Sequence, residues 1–561
     1  MKRLALSSWI MILVSLLLLS FIALPFVNAG IFFGHDIYLH TVYVQKFYEA
    51  FSQGQLPVRV IDWIFPGFNQ PLFTFYQPGF YYLTVLFKLL HFSTSDAIKI
   101  TSLGLWVVGG VGMFLFTKRK AGLAGGLIAS IFYTFAPYHI VDIFVRAALP
   151  EFAALSIVPF LFLGIDGMFT SANRFYWWLT SLSIAVLLLF HPPTALMFLP
   201  LAGLYCLYFL IQKDRVRNIL KLLLVTSIGF LISAFFLLPA FFEKQFIFLQ
   251  KAATGNYDFH NHFVCFSQLL KTDWGYGFSV PGCNDTMPFA IGSLHIFFVL
   301  VLVIFLLVFL IQKKWRREFW LLGIFIAIFF FSLFMTGFWS KLVWEKIPFL
   351  TFVQYPWRFL SVGIFTASFL TGYAVFLLPD SLRFRSFIAI VALVCILYVP
   401  YVHPLTYYSQ QSLVFDKNGF TNYSDYVNAK HDPESFYDPT TAIKRVTPAT
   451  IYSQITFEKK GNILEEKTTA AAKTFIVTMP QEQSITLYVR YFPGWNITLD
   501  GKVSHVMLDS YGYVHLHLPA GKHTIIASYT QTRLEKLSNY ITVFAFVASF
   551  LFFLPIKRKV V

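Results

Sequence analysis

The sequence has 561 residues, of which 57% are hydrophobic and only 12% are charged. Soluble globular proteins carry roughly twice that charged fraction, so the composition excludes a soluble protein and indicates a polytopic membrane protein. The 43 Lys and Arg outnumber the 27 Asp and Glu. These basic residues fall in short clusters between apolar runs, as in cytoplasmic loops, so they indicate membrane topology rather than nucleic-acid binding.

Twelve apolar windows of about 17–25 residues each predict one spanning helix. They lie near residues 7–29, 97–117, 121–139, 151–168, 176–190, 193–211, 218–240, 289–311, 319–338, 358–379, 386–402 and 538–555. The first could also be read as a signal peptide, but its longer apolar stretch favours a retained anchor.

A thirteenth apolar piece, at 78–92, contains Lys88 and is too short for a comfortable span. If it lies in the membrane interface, all six basic clusters of the chain share one side, and if it crosses, they do not. We therefore predict twelve spans, an interfacial helix at 78–92 and both termini in the cytoplasm.

Four segments are then expected to project outward, at 30–96, 140–150, 241–288 and about 403–537. Cys265 and Cys283 share the third of them and could pair if it lies outside the cell. The fourth is polar, and its runs SITLYVRYF, YVHLHL and HTIIASY alternate with period two between turn signals.

This pattern predicts a small antiparallel β domain, a sandwich, at about 445–532, after an irregular connector at 403–444. We thus expect a multi-span helical domain at 1–402 and an outer region at 403–537. A last span and a basic tail follow at 538–561.

Asp36 stands between His35 and His40 in FFGHDIYLHTVYVQKFYEAF (32–51), just after the first span. Ionisable groups at that boundary are costly to misplace, so they usually have a partner or a task. Asp36 could cap the following amphipathic helix, or it could act as a general base. Two histidines beside one aspartate are a weak metal signal, so we expect them to orient or hydrate the site.

Three further polar residues lie in the outer loops or at the outer ends of spans. Arg146 and Glu151 in VRAALPEFAAL could form a local salt bridge, or could hold a phosphate and supply a second carboxylate. Arg358 in FVQYPWRF could snorkel to the interface or contact a phosphate.

The remaining candidates are aromatic or stand beside helix breaks. His191 precedes two prolines that break a helix, where a packed capping histidine is expected. The segment 54–80 combines Arg59 with many aromatic residues, and Trp274 and Tyr276 alternate with glycines. Such aromatic groups suit membrane anchoring as well as sugar binding.

A family resemblance rests on motifs spread over most of the chain. The segments GHD, RAALPEFAA, HPPTA, WGYGFSVPG, QYPWRFL and YFPGWNITLDGK, in this order, resemble bacterial membrane proteins of the YfhO type. Relatives carry a label that invokes 6-pyruvoyl-tetrahydropterin synthase, although nothing in the sequence suggests pterin chemistry. The long first outer loop that begins with an aspartate also resembles the GT-C superfamily, polytopic glycosyltransferases that use polyprenyl-phosphate-linked sugars.

The resemblance implies an outward active site with Asp36 as the base and Glu151 as a second acidic group. Arg146, Arg358 and Arg59 would hold the phosphate. Residues expected to bind or orient substrate are His35, His40, Tyr76, His191, Trp274, Tyr276 and Gln354. The first loop lacks the paired Asp-x-Asp of some members, which favours a metal-independent reaction, and no cofactor is assigned.

The sequence thus predicts a multi-pass transferase of the cytoplasmic membrane that inverts the configuration of the sugar it transfers. Its donor would be a polyprenyl-phosphate-linked sugar and its acceptor a cell-envelope glycan, glycolipid or protein on the outer face. The β domain would bind glycan, position the acceptor or serve as a spacer. The alternative is a non-catalytic translocator or assembly partner for lipid-linked glycans. A solute transporter would need polar groups at mid-membrane, and the spans offer little beyond Asp166.

Overall fold

The computed structural model describes residues 6–62, 69–210, 215–247, 255–270, 274–314, 318–409, 454–510 and 512–553. Its helices are α1 Leu6–Ser20, α2 Leu24–Val27, α3 Ile37–Ser52, α4 Leu72–Phe75, α5 Gly79–Leu89, α6 Thr94–Thr134, α7 Pro137–Phe144, α8 Leu149–Thr170, α9 Phe175–Phe190, α10 Pro192–Leu210, α11 Arg215–Ile232, α12 Ala234–Phe242, α13 Phe266–Leu270, α14 Ser293–Ile311, α15 Glu318–Thr336, α16 Lys341–Lys346, α17 Leu360–Leu377, α18 Asp380–Leu397 and α19 Arg533–Phe553.

Nine helical segments of the described residues are long and apolar enough to cross a membrane. A tenth is obtained if α11 and α12, bent by 76° relative to each other, count as one broken span. The sequence predicts twelve spans, two more than these ten, for two reasons. The helix α9 has only 16 residues, and α6 contains two of the predicted spans.

The helix α6 folds back on itself at Gly122, whose φ of 67° is not helical. The indole of Trp106 donates to the carbonyl of Thr134 (3.2 Å), and Ser130 Oγ donates to the carbonyl of Gly110 (2.8 Å). Residues 28 positions apart in a straight helix would be about 42 Å apart, so the two arms must be antiparallel. The two predicted spans at 97–117 and 121–139 therefore correspond to two helical arms, which the break at Gly122 joins within α6.

The helix α5 covers most of the predicted interfacial piece at 78–92. It has 11 residues and is too short to count among the spans. One face, including Phe80 and Tyr81, is buried against the helical core, whereas Leu86 and Leu90 are exposed.

The C-terminal part is β-rich, as predicted. Strands β5 Ile455–Phe457, β6 Asn462–Thr468, β7 Ala472–Met479, β8 Gln483–Arg490, β9 Trp495–Leu499, β10 Lys502–Val503, β11 Met507–Leu508, β12 Tyr513–Leu518 and β13 Gly521–Tyr529 form two antiparallel sheets. Their orders are β10-β9-β13-β7-β6 and β11-β12-β8-β5. Alternate residues such as Phe475 and Val477 on β7 and Ile485 and Leu487 on β8 are buried in one core.

The outer segments meet at one end of the helical part. Strand β1 (Ile31–Phe32) pairs with β4 (Tyr407–Tyr408), which joins the first outer segment to the chain after α18. Strands β2 (Ile61–Asp62) and β3 (Asn69–Gln70) form a small hairpin further along the first segment. Most of the predicted connector at 403–444, and the first residues of the β domain, lie outside the described residues.

The third outer segment is cross-linked. Cys265 and Cys283 form a disulfide with their Cα atoms 5.6 Å apart, so the pairing that the sequence left open is present.

The basic turn at Lys118 to Lys120 lies at the end of the first arm of α6. A helix of that length places the turn about 40 Å from Thr94, where the arm begins.

Candidate active site

A short backbone pairing joins the first and second outer segments. The amide of His35 donates to the carbonyl of Val145 (3.0 Å), and the amide of Asp36 donates to the carbonyl of Arg146 (2.9 Å). Gly34 permits this approach, because a Cβ there would lie 2.5 Å from the Cβ of Ala147. The pairing therefore brings Asp36 beside Arg146, as the sequence-based hypothesis required.

Asp36 precedes α3 but does not cap it through its side chain, which makes no capping hydrogen bond. Its carboxylate accepts no hydrogen bond from any described residue and remains partly exposed. Burial nevertheless raises the pKa of Asp36 from 3.8 to about 6, and the nearby guanidinium groups of Arg146 and Arg358 oppose that rise. The capping explanation is therefore not supported, and the carboxylate is available to a ligand.

Two arginines share one carboxylate oxygen. Oε2 of Glu151 accepts from Nη2 of Arg146 (3.0 Å) and from Nε of Arg358 (2.9 Å). Its Oε1 accepts from the hydroxyl of Tyr138 (3.1 Å), and Glu151 is only 1% exposed. Glu151 is thus fully engaged in holding the two guanidinium groups together.

Aromatic rings support the same arginines. The guanidinium of Arg146 lies 4.3 Å from the ring centre of Trp357, and that of Arg358 lies 4.9 Å from Tyr355. The two rings stack on each other at 4.6 Å and 7°. Nη1 of Arg358 also donates to the carbonyl of Val353 (2.7 Å). Stacking and carbonyl contacts restrict the orientation of both guanidinium groups.

Each arginine keeps one donor nitrogen without a partner in the described part of the chain. Arg146 uses Nη1 for Asp142 and Tyr138 and Nη2 for Glu151, which leaves Nε. Arg358 uses Nε and Nη1, which leaves Nη2. Neither free nitrogen is sealed from solvent. Open guanidinium N–H groups beside a free carboxylate suit an anionic ligand that carries a hydroxyl or an ester oxygen.

His35 and Tyr276 lie against this cluster. Nε2 of His35 is 3.2 Å from the carbonyl of Tyr276, and its ring stacks on Phe278 at 4.4 Å. Burial lowers the pKa of His35, which favours the neutral form of its ring. Trp274 is further out and stacks on Tyr401 at 4.6 Å. The disulfide-bonded third outer segment therefore contacts His35, the residue next to Asp36 in the chain.

Gln354 and His191 complete the group that the fold assembles. Oε1 of Gln354 accepts from Nη1 of Arg358 (3.0 Å). Nδ1 of His191 lies 2.7 Å from Oγ1 of Thr194 and accepts from the Thr194 amide (3.3 Å), so His191 supports the start of α10. It also interacts electrostatically with Arg358 and Glu151. The packing role expected for His191 and its proximity to the site are both present.

Three candidates from the first outer segment are not part of the cluster. His40 is buried with Nδ1 2.8 Å from the hydroxyl of Tyr81, and burial lowers its pKa to about 3. Tyr76 packs on Tyr43 at 5.5 Å. Arg59 donates to the carbonyl of Phe235 (2.6 Å) instead of facing Asp36.

The helix α3 explains the separation of Arg59 from the site. Its 16 residues span about 24 Å, so the part of the segment that follows α3 emerges at its far end.

Sequence reasoning missed Asp142, Tyr138 and Tyr355. Asp142 binds Nη1 of Arg146 from four positions earlier, a helical spacing that the sequence does display. Burial raises the pKa of Asp142 well above its ordinary value. The two tyrosines carry no sequence signal, because their contribution depends on the packing of α7 against the segment before α17.

Two hollows of about 380 Å³ and 600 Å³ lie elsewhere, the first beside His260 and Trp339 and the second along β5 and β6. Neither borders Asp36. Within the described ranges, no three His, Cys, Asp or Glu side chains are grouped to hold a metal ion.

These features define a polytopic membrane protein with a charged site at the end that carries its β domain. Residues 73–406 match the family described as "6-pyruvoyl-tetrahydropterin synthase related domain; membrane protein", and the chain belongs to this family. The YfhO-type resemblance is thereby confirmed. The matched range contains Arg146, Glu151 and Arg358 and begins after Asp36.

An uncharacterized protein of Lactococcus lactis subsp. cremoris (strain MG1363) is 26% identical over 227 residues. The alignment covers 38% of this chain and 36% of that relative, so this chain spans about a third of the relative's length.

Two kinds of solved structure are similar at low scores. Arabinofuranosyltransferase AftD from Mycobacteria aligns with a TM-score of 0.42 and 12% identity over 77% of this chain and 30% of that chain. ArnT from Cupriavidus metallidurans, bound to undecaprenyl phosphate, aligns with a TM-score of 0.35 and 14% identity over 70% of this chain and 64% of that chain.

Proposed function

We propose that this chain is an integral-membrane glycosyltransferase that moves a sugar from a polyprenyl-phosphate-linked donor to an acceptor hydroxyl. One observation carries the proposal. The unengaged carboxylate of Asp36 lies within electrostatic range of two arginines, and each arginine keeps an N–H group without a partner among the described residues. Such an arrangement suits a reaction in which an acceptor loses a proton while negative charge grows on a departing phosphate.

Asp36 acts as the general base in this proposal. With a pKa of about 6, its carboxylate is ionised at neutral pH and is more basic than an ordinary aspartate. It takes the proton of the acceptor hydroxyl while that oxygen attacks the anomeric carbon. The bond from the anomeric carbon to the phosphate oxygen breaks on the opposite face, and its electrons leave with the phosphate. The product therefore has the inverted configuration.

Arg146 and Arg358 stabilise the departing phosphate through Nε and Nη2. We assign Glu151 a positioning role in place of the second catalytic carboxylate that the sequence suggested. Both of its oxygens accept hydrogen bonds, and one oxygen bridges the two arginines. A carboxylate so engaged is a poor base, but it keeps two cations at a separation suited to one phosphate.

The reaction would occur on the outer face of the cytoplasmic membrane. The disulfide between Cys265 and Cys283 belongs to the segment that contacts His35. Disulfides persist in oxidising compartments, which supports an outward site. The basic turn at Lys118 to Lys120, at the far end of the first arm of α6, supports the same orientation, since cytoplasmic loops collect positive charge.

The acceptor would be a glycan, glycolipid or protein of the cell envelope. A non-catalytic translocator or assembly partner would tolerate loss of the Asp36 carboxylate, and this difference distinguishes the two functions.

The test is complementation of a deletion strain, read out as the sugar composition of its envelope polymers. Wild-type protein restores the missing sugar, and Asp36→Asn does not, because an amide cannot accept the proton. Transfer of radiolabelled sugar from polyprenyl phosphate in membranes should fall by about 10²–10⁴-fold, the usual contribution of a general base. Glu49→Gln, which changes a partly exposed carboxylate paired with Lys46 on the same helix α3, is the matched control. Full restoration by Asp36→Asn would exclude the catalytic role and favour the non-catalytic alternative.

A further inference from the structure

We infer that the β domain is a brace for the helix α3, and that Asp62, Asn69 and Lys473 are positioning residues for the site. This positioning role rests on the proposed function, because Asp36 stands at the start of α3. The β domain holds α3 in place through contacts with the segment that follows this helix.

The first contact is an ion pair that reaches into the β domain. Lys473 lies on β7 and its side chain has no exposed surface. Its Nζ donates to Oε1 of Gln454 (2.7 Å) and lies 3.5 Å from Oδ1 of Asp62 in β2. A buried ammonium group needs a charged or hydrogen-bonding partner, so undocking the first outer segment would leave Lys473 without its counter-ion.

The second contact imitates a strand pair. Nδ2 of Asn69 donates to the carbonyl of Arg490, and the amide of Arg490 donates to Oδ1 of Asn69, both at 3.3 Å. Asn69 is fully buried. The ring of Phe75 packs edge-on against Phe492 at 5.9 Å. The hairpin of β2 and β3 is thus bound through the end of β8 and the turn that follows it.

The third contact is at α3 itself. Gln53 is the C-cap residue directly after α3, and its Oε1 accepts from the amide of Ala470 (3.2 Å). The opposite end of α3 begins after Asp36, which is tied to Arg146 through the backbone. A helix of 16 residues is a stiff rod of about 24 Å, so the β domain and the second outer segment hold its two ends.

The last helix anchors this assembly to the membrane. Glu535, at the start of α19, forms a capping box with Thr532 and accepts from the hydroxyl of Tyr529 (2.9 Å). Nε of Arg59 lies 3.6 Å from Oε1 of Glu535, and both side chains are buried. Arg59 therefore joins the first outer segment to α19, which gives a role to the arginine that lies away from Asp36.

Hydrogen exchange on the full-length protein in detergent tests the brace. Lys473→Met and Asp62→Asn each remove one charge of the first contact. We expect amides of α3 to exchange about tenfold faster in both variants, with β7 and β13 still protected, because only the docking contact is weakened. Asp62→Glu keeps the charge and should exchange like the wild type. Glu482→Gln removes an exposed partner of His517 on the same domain and is the matched control.

Unchanged exchange of α3 in both charge-removing variants would overturn the proposal. If Lys473→Met unfolds the β domain, β7 and β13 lose protection, and Asp62→Asn, which lies outside that domain, decides the question. Exchange requires no donor or acceptor, so this result is independent of whether the chain transfers a sugar. Where transfer is measured, Asp62→Asn should lower the rate at saturating donor and leave the half-saturating donor concentration unchanged, because Arg146 and Arg358 do not lie on α3.

Discussion

At the scale of the residue, Asp36 combines partial exposure with strong desolvation. An ordinary surface aspartate is stabilised by water, whereas a fully sealed one would be protonated or paired. Asp36 is in between, with a pKa of about 6 and two arginines nearby. This state is costly to folding, because the protein holds an ionised carboxylate at neutral pH without a direct hydrogen bond.

Because the ionised Asp36 carboxylate destabilises the folded state, we predict that Asp36→Asn stabilises the protein at neutral and alkaline pH. The folded-state pKa of about 6 exceeds the ordinary 3.8, so the folded state binds the proton more tightly. The free energy of unfolding therefore decreases as pH rises from about 4 to above 6. At pH 8 the variant should be more stable by on the order of 1–3 kcal/mol, since one pKa unit corresponds to about 1.4 kcal/mol.

At about pH 3 the difference between the two proteins should be small, because Asp36 is then protonated in both the folded and the unfolded state. Denaturant unfolding of both purified proteins in detergent, at the two pH values, measures the effect. A variant that is less stable than the wild type at pH 8 would show that the carboxylate has a stabilising partner.

At the scale of the element, the site depends on two loops that approach each other closely. The segment 34–36 pairs with 145–147, and Ala147 adopts a φ of +52°, a conformation in which residues with a Cβ are strained. Gln354, whose side chain contacts Arg358, also has a positive φ of +66°. Strained backbone beside both arginines agrees with the tendency of functional sites to store strain.

Gly34→Ala should separate these loops. The new Cβ would lie 2.5 Å from the Cβ of Ala147, so the pairing of Asp36 with Arg146 must shift. We expect a loss of about 1–3 kcal/mol, the usual effect of overpacking, together with loss of envelope complementation. Gly104→Ala on α6 is the control, because its Cβ would meet nothing within 4 Å. That change should stabilise α6 by roughly 0.5–1 kcal/mol. Equal unfolding midpoints for the two variants would contradict the close approach.

At the scale of the whole molecule, the charged site and the β domain share one end and the basic turn of α6 is at the other. A labelling experiment tests which end is outside. In a chain with Cys206→Ser and Cys395→Ser, Lys502→Cys in β10 and Lys118→Cys in the α6 turn are both exposed positions.

An impermeant maleimide on intact cells should label Lys502→Cys at once and Lys118→Cys only after the membrane is permeabilised. Labelling of Lys118→Cys in intact cells would place the α6 turn outside and remove the support for an outward site.

Much of the architecture could be predicted from local pattern. Hydropathy located the candidate spanning helices of the described residues, since a spanning helix must be apolar over its length whatever it packs against. It predicted two spans within α6, and the fold-back at Gly122 divides that helix into two antiparallel arms. Period-two alternation predicted the β domain, because a sheet buried on one face requires it.

The residues that meet in the charged cluster were recognised only in part from the sequence. Asp36, Arg146, Glu151 and Arg358 were recognised because charge at the end of an apolar run is rare and therefore informative. Arg59 was misplaced because the same rarity says nothing about which partner a charge will find. Its position away from Asp36 depends on the length and direction of α3.

The sequence by itself thus determined that the chain is a membrane protein with charged residues near the ends of its spans and a β domain, since each property is local and follows from hydropathy and period. Only the tertiary structure decided that one oxygen of Glu151 joins Arg146 to Arg358 and that Asp36 has no hydrogen-bond partner among the described residues. It also decided that the β domain docks on the first outer segment. Such pairings join residues up to 421 positions apart, and no local pattern encodes which distant partner a side chain meets.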